Sequence, residues 1–320
     1  MLQTILTDGR SFALPLLIMA IGGIFSERSG VTMLSLEGLQ GFGSFVGAVV
    51  VVLSRPSLGE SSAALVYLAM LGAMIGGMLF SLIHALLCVV FKAMQTISGV
   101  VVNILAVALT TFFTSIINAA LTGDPSNKFS LGISTRFDIP GLSSIPLLGG
   151  LFKSVYPFEI VILCFALLAW YFLYRTRFGL RLRACGENPH SLDAAGGSVN
   201  KTRFVSVLIC GALSGLGGIA FCYSISANFS PSSYMGYGYL AIAGLIFGNW
   251  NILSTMGACL FFGFAKSAGH QLCLLLGISS SLNDLLQIIP YVLTLLMLVF
   301  FSKHNRAPRA IGEAFDKGRR

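Results

Sequence analysis

The sequence predicts an all-α fold, a polytopic membrane bundle of about 8–10 transmembrane helices. Three observations carry that expectation. Hydrophobic residues make up 55% of the 320 and charged residues only 10%, where a soluble chain carries roughly 25% charged residues. Mean hydropathy is +0.85. The apolar residues also fall into long runs, several reaching the roughly 20 residues that cross a bilayer as a helix. Disordered, disulfide-scaffold and nucleic-acid-binding classes are excluded by the same composition. Lipid is the expected solvent, and no nucleic acid is an expected partner.

The spans follow in order. The first run, 12–25, is short, contains Pro15, and lacks the small-residue cleavage site of a signal peptide. After Glu27-Arg28-Ser29-Gly30, a second run continues to residue 53, interrupted only by Glu37. The third and fourth, 62–91 and 93–121, are uncharged apart from Lys92 between them. Residues 122–155 are polar and rich in Gly and Pro, so they form a loop, with a short re-entrant piece at 145–152. A fifth span covers 157–174. A basic loop follows over 175–203. Spans at 204–222, 237–247, 252–277 and 285–301 complete the chain, the eighth broken by Lys266. The total is about nine.

Charge fixes the orientation. The net charge is +8. The loop 175–203 and the tail 303–320 each hold six basic and two acidic residues, so each is +4 and the remainder is neutral. Basic loops stay on the cytoplasmic side. An even number of spans separates the two stretches, in agreement with a cytoplasmic loop and a cytoplasmic C-terminus. Counting backwards puts the N-terminus outside. The expected organisation is a transmembrane domain over 1–302, containing the loop 175–203, and a basic cytoplasmic tail over 303–320.

Signatures of covalent chemistry are missing from the sequence. It contains no H-E-x-x-H, G-x-S-x-G or G-x-x-x-x-G-K-[ST] pattern. Its four histidines are scattered, and its seven cysteines form no C-x-x-C pair. Free buried thiols, no metal site, no cofactor and no enzymatic activity are expected. Any ATP would bind another chain.

The informative residues are polar groups inside apolar runs. A charge near the bilayer centre costs at least about 2.5–3.5 kcal/mol, so Glu37 and Lys266 are expected to face a bundle interior or an aqueous vestibule. The plainer readings are a carboxylate at a helix start for Glu37 and snorkelling for Lys266. Gln95, Thr96, Ser98 and Asn103 open the fourth span. Hydroxyls and amides suit a polyhydroxylated or heterocyclic solute, and they also serve interhelical hydrogen bonding. Ser98 and Asn103 lie roughly 140° apart around a helix, and Asn103, both donor and acceptor, is the better candidate for a solute path. Glycine is abundant at 36 residues. The pairs Gly43/Gly47, Gly72/Gly76 and Gly211/Gly215 have the G-x-x-x-G spacing that brings helix backbones together.

The basic loop carries the most specific pattern. Asn188-Pro189 reads as a helix start and Gly196-Gly197 as its stop, giving a short exposed helix over 187–195. His190, Leu192 and Asp193 are its expected contacts with a partner, and Gly196 lets the chain turn back.

Three stretches resemble one family: SERSGVTMLSLEGLQGFGSFVGA, RFGLRLRACGENPHSLDAAGGSVNKTRF, and ANFSPSSYMGYGYLAIAGLIFGNWNILSTMGACLFFGFA. They are similar to permease subunits of bacterial ABC importers, in the superfamily that handles ribose, other simple sugars, branched-chain amino acids and nucleosides. TISGVVVNILAVALTTFF and GYGYLAIAGLIFGNWN look most like nucleoside-type permeases, the shorter of two paired subunits. Thr32-Met33 and Ser35 depart from the family's usual V-L-N-L-G, and Gly196-Gly197 replaces a glycine followed by an aliphatic residue. The resemblance implies a type II ABC importer permease in a bacterial plasma membrane. Its implied partners are a cytoplasmic ABC ATPase, a second permease forming a hetero-dimer, and an extracellular solute-binding lipoprotein, with a nucleoside as the solute. It also implies that the 182–200 loop couples to the ATPase, through Glu187, Asn188, Pro189, His190, Leu192, Asp193, Ala194 and Gly196. Two alternatives remain: the same machine carrying a simple sugar, pentose or purine base, and a stand-alone secondary transporter or channel.

Overall fold

The computed structural model describes residues 2–59, 62–123, 125–132, 135–141, 148–232, 234–275, 292 and 306–318. Ten α-helices dominate them: α1 (Leu2–Glu27), α2 (Leu36–Leu58), α3 (Ala63–Ala85), α4 (Gln95–Thr122), α5 (Pro157–Arg175), α6 (Arg177–Glu187), α7 (Pro189–Ala194), α8 (Val199–Ile225), α9 (Tyr237–Phe247) and α10 (Ile252–Leu275). One π-helical turn, Leu86–Val90, prolongs α3. The strands β1 (Phe129–Ser130) and β2 (Asn228–Phe229) pair antiparallel, with Phe129 opposite Phe229. Among the described residues, seven helices are long and apolar enough to cross a membrane. The expected span at 285–301, the end of the eighth beyond residue 275, and the start of the re-entrant piece at 145–147 lie outside the described residues. Residues 148–151 form a 3-10 turn.

The first span is longer than its apolar run. α1 starts at Leu2 because its polar side chains find partners rather than water. Thr7 Oγ1 donates to Gly150 O at 2.9 Å. The Arg10 guanidinium reaches the carbonyls of Leu151, Lys153 and Ser154 and pairs with Glu159 at 3.1 Å. From Gly9 to Glu27 every residue of α1 is buried. The helix is therefore the axle of the bundle, with α8 and α10 packed along it and α5 and α9 touching it.

The glycine pairs mark where helices meet. A Cβ on Gly43 would overlap Gly215 and the Ala73 carbonyl, and one on Gly77 would overlap Gly211. The α2, α3 and α8 backbones are thus in direct contact along one seam, the arrangement that small residues permit in lipid. The lipid-compatible surface lies elsewhere. On α4, Ile97, Val101, Ile104 and Phe112 are exposed, and on α5, Leu163, Leu167 and Phe172.

The expected seventh span is half of one. α9 has 11 residues, about 16 Å of helix against a hydrocarbon core of about 30 Å. The rest of the crossing is irregular chain. It leaves the end of α8, pairs with β1, and reaches the start of α9 after Gly236. α9 then ends at a tight turn where Asn249 and Trp250 have φ of +51° and +53°. Arg28 Nε donates to Trp250 O at 3.0 Å. That turn therefore lies on the same face as the end of α1.

The tail packs against the basic loop. Ala310 N–H donates to Gly186 O at 2.8 Å, and Gly312 N–H to Gly30 O at 3.1 Å. Arg203 Nη1 donates to Glu313 O at 2.6 Å, and Lys317 pairs with Asp193 at 3.1 Å. Both +4 stretches thus share one face, as the even span count requires.

By the positive-inside rule that face is the one expected on the cytoplasmic side. In a Cys164→Ala background, an Ala314→Cys variant is expected to resist a membrane-impermeant maleimide in intact cells and to react after permeabilisation. Labelling of intact cells would reverse the orientation. The glycine seam gives a second expectation. Gly215→Ala should lower the Tm in detergent by several degrees. Gly257→Ala should leave it level or raise it, because a Cβ on Gly257 meets nothing within 4 Å and alanine is the better helix former by about 1 kcal/mol.

Candidate functional site

Two regions have the chemistry of a transport machine: a junction inside the bundle where the chain leaves helical geometry twice, and the surface made by α6, α7 and the tail.

The junction begins with residues 28–35, between α1 and α2. No water reaches a bilayer core, so non-helical backbone there needs protein partners. Side chains of three helices supply them. Gln95 Oε1 accepts from Thr32 N–H at 2.7 Å. His84 Nε2 lies 3.2 Å from Thr32 O, and its Nδ1 lies 2.9 Å from Ser98 Oγ. A carbonyl only accepts, so Nε2 carries the proton and Nδ1 accepts from the serine. Glu27 Oε1 accepts from Met33 N–H at 3.4 Å. Asn103 uses both ends of its amide. Oδ1 accepts from Gly38 N–H at 2.8 Å, and Nδ2 donates to Leu34 O at 2.9 Å and to Tyr239 Oη at 3.2 Å.

The second interruption, ahead of α9, docks on the first. Gln40 Nε2 donates to Tyr234 O at 2.7 Å. Tyr234 Oη lies 3.1 Å from Thr110 Oγ1. Glu37, 9% exposed, faces the backbone N–H groups of Gly236 and Tyr239 at the start of α9, where a helix presents partial positive charge. Gly238 lies so close that a Cβ there would overlap the Glu37 backbone. Glu37 is thus a carboxylate at two helix starts, its own and that of α9.

On α10, Lys266 Nζ donates to Tyr237 Oη at 2.8 Å. It sits 4.0 Å from the Phe12 ring centroid and 4.4 Å from that of Tyr237. Of the four expected path residues, Glu37 and Asn103 therefore meet at the junction. Ser98 lies one helix turn away on His84, and Lys266 stands apart. The amides of Gln95 and Asn103 and the hydroxyl of Ser98, which the sequence offers to a solute, are engaged by the protein's own backbone and by His84.

The second region is built on the basic loop. Asn188 ends α6 and caps α7, its Oδ1 accepting from Ser191 N–H at 3.1 Å. The expected helix over 187–195 is therefore split: Glu187 closes α6, and α7 runs only Pro189–Ala194. Proline at the first position of α7 lacks the N–H that a continuing helix would need. Leu192 is 6% exposed and packs with Cys185, Val199 and Phe315, so it anchors α7 instead of facing outward. Burial raises the Cys185 thiol pKa above its ordinary value, against the opposing Arg203 guanidinium. Phe315 also lies 5.3 Å from the His190 ring. Asn188, His190, Ser191, Ala194, Ala195 and Gly196 face solvent. Gly196 has φ +80°, the left-handed geometry that ends the helix.

A buried network joins the two regions. Trp250 Nε1 donates to Glu27 Oε2 at 2.5 Å, Arg28 binds Trp250 O, and Arg203 Nε donates to Ser29 O at 3.2 Å. Gly186 packs on the Arg28 carbonyl. Sequence reasoning did not single out Glu27, Trp250, Arg203 or the Arg10–Glu159 pair. The signal was present, since each is a charged or indole group at the edge of an apolar run.

Asn103→Leu would orphan Gly38 N–H and Leu34 O, at about 1–3 kcal/mol for each buried group. The expected result is a Tm in detergent well below wild type, together with reduced uptake. An unchanged Tm would show that Asn103 does not hold the junction.

Residues 5–300 match the family described as branched-chain amino acid transport system / permease component. The chain is 40% identical to the guanosine ABC transporter permease protein NupQ of Bacillus subtilis, over 97% of this chain and 95% of that one. It is 36% identical to the nucleoside ABC transporter permease protein NupC of Lactococcus lactis subsp. cremoris, over 99% and 98%. It is 26% identical to a second Bacillus subtilis protein, the guanosine ABC transporter permease protein NupP, over 79% and 69%. No solved structure matches. The three stretches that carry the sequence resemblance are the ones that meet here, at Glu27–Trp250, Glu37–Gly238 and Arg28–Gly186. With nearly its whole length matched, the chain belongs to the branched-chain amino acid transport system permease family.

Proposed function

We propose that the chain is one of two unlike permease subunits of an ATP-driven nucleoside importer. It would work with a cytoplasmic ATPase and an external solute-binding lipoprotein. The observation that carries this reading is α7: a six-residue helix rooted in the chain by Leu192, with an outer face that no other part of the described chain covers. A helix so short has no stability of its own, and its open face fits docking in a groove of a partner. The nucleoside assignment rests on the two relatives that match almost end to end, both named for nucleosides. The hetero-dimer rests on NupQ and NupP, two guanosine permease proteins of one organism, both similar to this chain.

The geometry supplies a route for force. Closure of the ATPase would move α7. Asp193 and Phe315 tie α7 to the tail, and Gly186, Arg203 and Gly312 tie that assembly to residues 28–30. Trp250 links that turn to the end of α9. α9 meets α2 at Glu37, so a shift at the cytoplasmic face reaches the junction between the two interrupted crossings. Alternating access would open that junction to either side. The chain itself performs no covalent step.

Ala194→Glu tests the reading. Ala194 is exposed, so the fold should tolerate the change, while a charge in the ATPase groove should not be tolerated. Labelled guanosine uptake by the assembled complex is expected to fall at least tenfold, with membrane insertion normal and ATP hydrolysis either released from uptake or lost with assembly. Wild-type uptake in this variant would overturn the coupling role. Guanosine uptake by the chain without its ATPase would favour a secondary transporter.

A further inference from the structure

A cavity of about 310 Å³ opens at the end of the bundle opposite α7, between α1, the end of α8, α10 and the loop before α5. Its size falls in the range of small-molecule sites. Three features set it apart from a packing gap. Lys266, one wall, has no carboxylate in ion-pair range among the described residues; rings of Phe12 and Tyr237 face its ammonium instead. An ammonium has three donors, and one is spent on Tyr237 Oη. Two hydroxyls in the lining, those of Ser224 and Ser267, are buried with no hydrogen-bond partner among the described residues. Ser267 is 6% exposed, so water does not stand in freely for the missing partner. Finally, the Arg136 guanidinium lies 4.5 Å over the Tyr156 ring, a planar cation backed by an aromatic face, on which flat heterocycles stack.

We propose that this cavity is the outer receiving site for the solute and that it takes an uncharged nucleoside. The base would stack at Arg136 and Tyr156, Lys266 would donate to an acceptor on the ligand, and the ribose hydroxyls would pair with Ser224 and Ser267. The chemistry fits: flat platform, hydroxyl partners and a donor whose charge is already met by ring faces instead of being held for an anion. Asp8, also in the lining, disfavours a phosphate. The assignment rests on the nucleoside-importer reading and adds where the solute is first held.

The assembled importer tests it in two ways. Lys266→Met is expected to raise the KM for guanosine uptake about tenfold or more, as loss of a charged donor implies, with the maximal rate held within about twofold. Phe261→Leu, at an exposed apolar position on the same helix, should leave KM unchanged. His270→Cys, at an exposed position of the lining, should react with an impermeant maleimide from the outside, and guanosine should slow that reaction while leucine does not. An unchanged KM in Lys266→Met together with unprotected labelling of His270→Cys, in a complex that imports guanosine, overturns the cavity assignment alone. Protection by guanosine 5′-monophosphate and not by guanosine overturns the uncharged class. A wild-type complex that neither imports nor is protected by any nucleoside overturns this proposal and the functional reading together.

Discussion

Everything inside the bundle follows from one constraint: backbone that is not helical must still be hydrogen-bonded where water is absent. Two crossings break this chain's helical geometry, before α2 and before α9. Each break leaves N–H and C=O groups that side chains must meet. Asn103, Gln95, His84, Glu27 and Gln40 meet them. The polar residues that give the membrane domain its unusual composition are, for the most part, a scaffold for irregular backbone. Interrupted crossings at matching depth are the usual places for a solute to pass between helices, because only there can neighbouring segments shift without tearing a continuous helix.

The same constraint explains why so much glycine is needed. α9 has only 11 residues, and a short helix contributes little packing. The α2–α3–α8 seam compensates by bringing backbones together at Gly43, Gly77, Gly211 and Gly215. Dispersion contacts are individually about 0.1–0.2 kcal/mol but numerous at such distances.

Much of this was legible in the sequence. Apolar length placed the long helices, G-x-x-x-G spacing marked the seam, and the charge clusters set both basic stretches on one face. Asn188-Pro189 and Gly196 gave the start and stop of α7. Other features were hidden for physical reasons. The run at 237–247 is apolar all round, and hydropathy alone does not separate half a helix from a short span; only the partners of Gly236 and Trp250 do. Asn103 offers the same donors and acceptors to a ribose as to a peptide, so its attachment to Gly38 and Leu34 is invisible without coordinates. Leu192 reads as a contact in a basic loop, yet its neighbours Cys185, Val199 and Phe315 come from three separate segments. Arg10 and Glu159 are 149 positions apart, and no local pattern pairs them.

The tail has a consequence for biogenesis. Domains form from the N-terminal side during synthesis, at roughly 5–20 residues per second. α7 is made long before Phe315, but its inner face is covered only once Phe315 packs beside Leu192 and Cys185. Until then, α7 is six residues on a partly open hydrophobic patch. The inner face of α7 is therefore complete only after residues 306–317 have been translated and have returned to the loop. A chain truncated before residue 306 would lack the residues that cover this face. Assembly would thus proofread translation, admitting only permeases whose later segments have arrived.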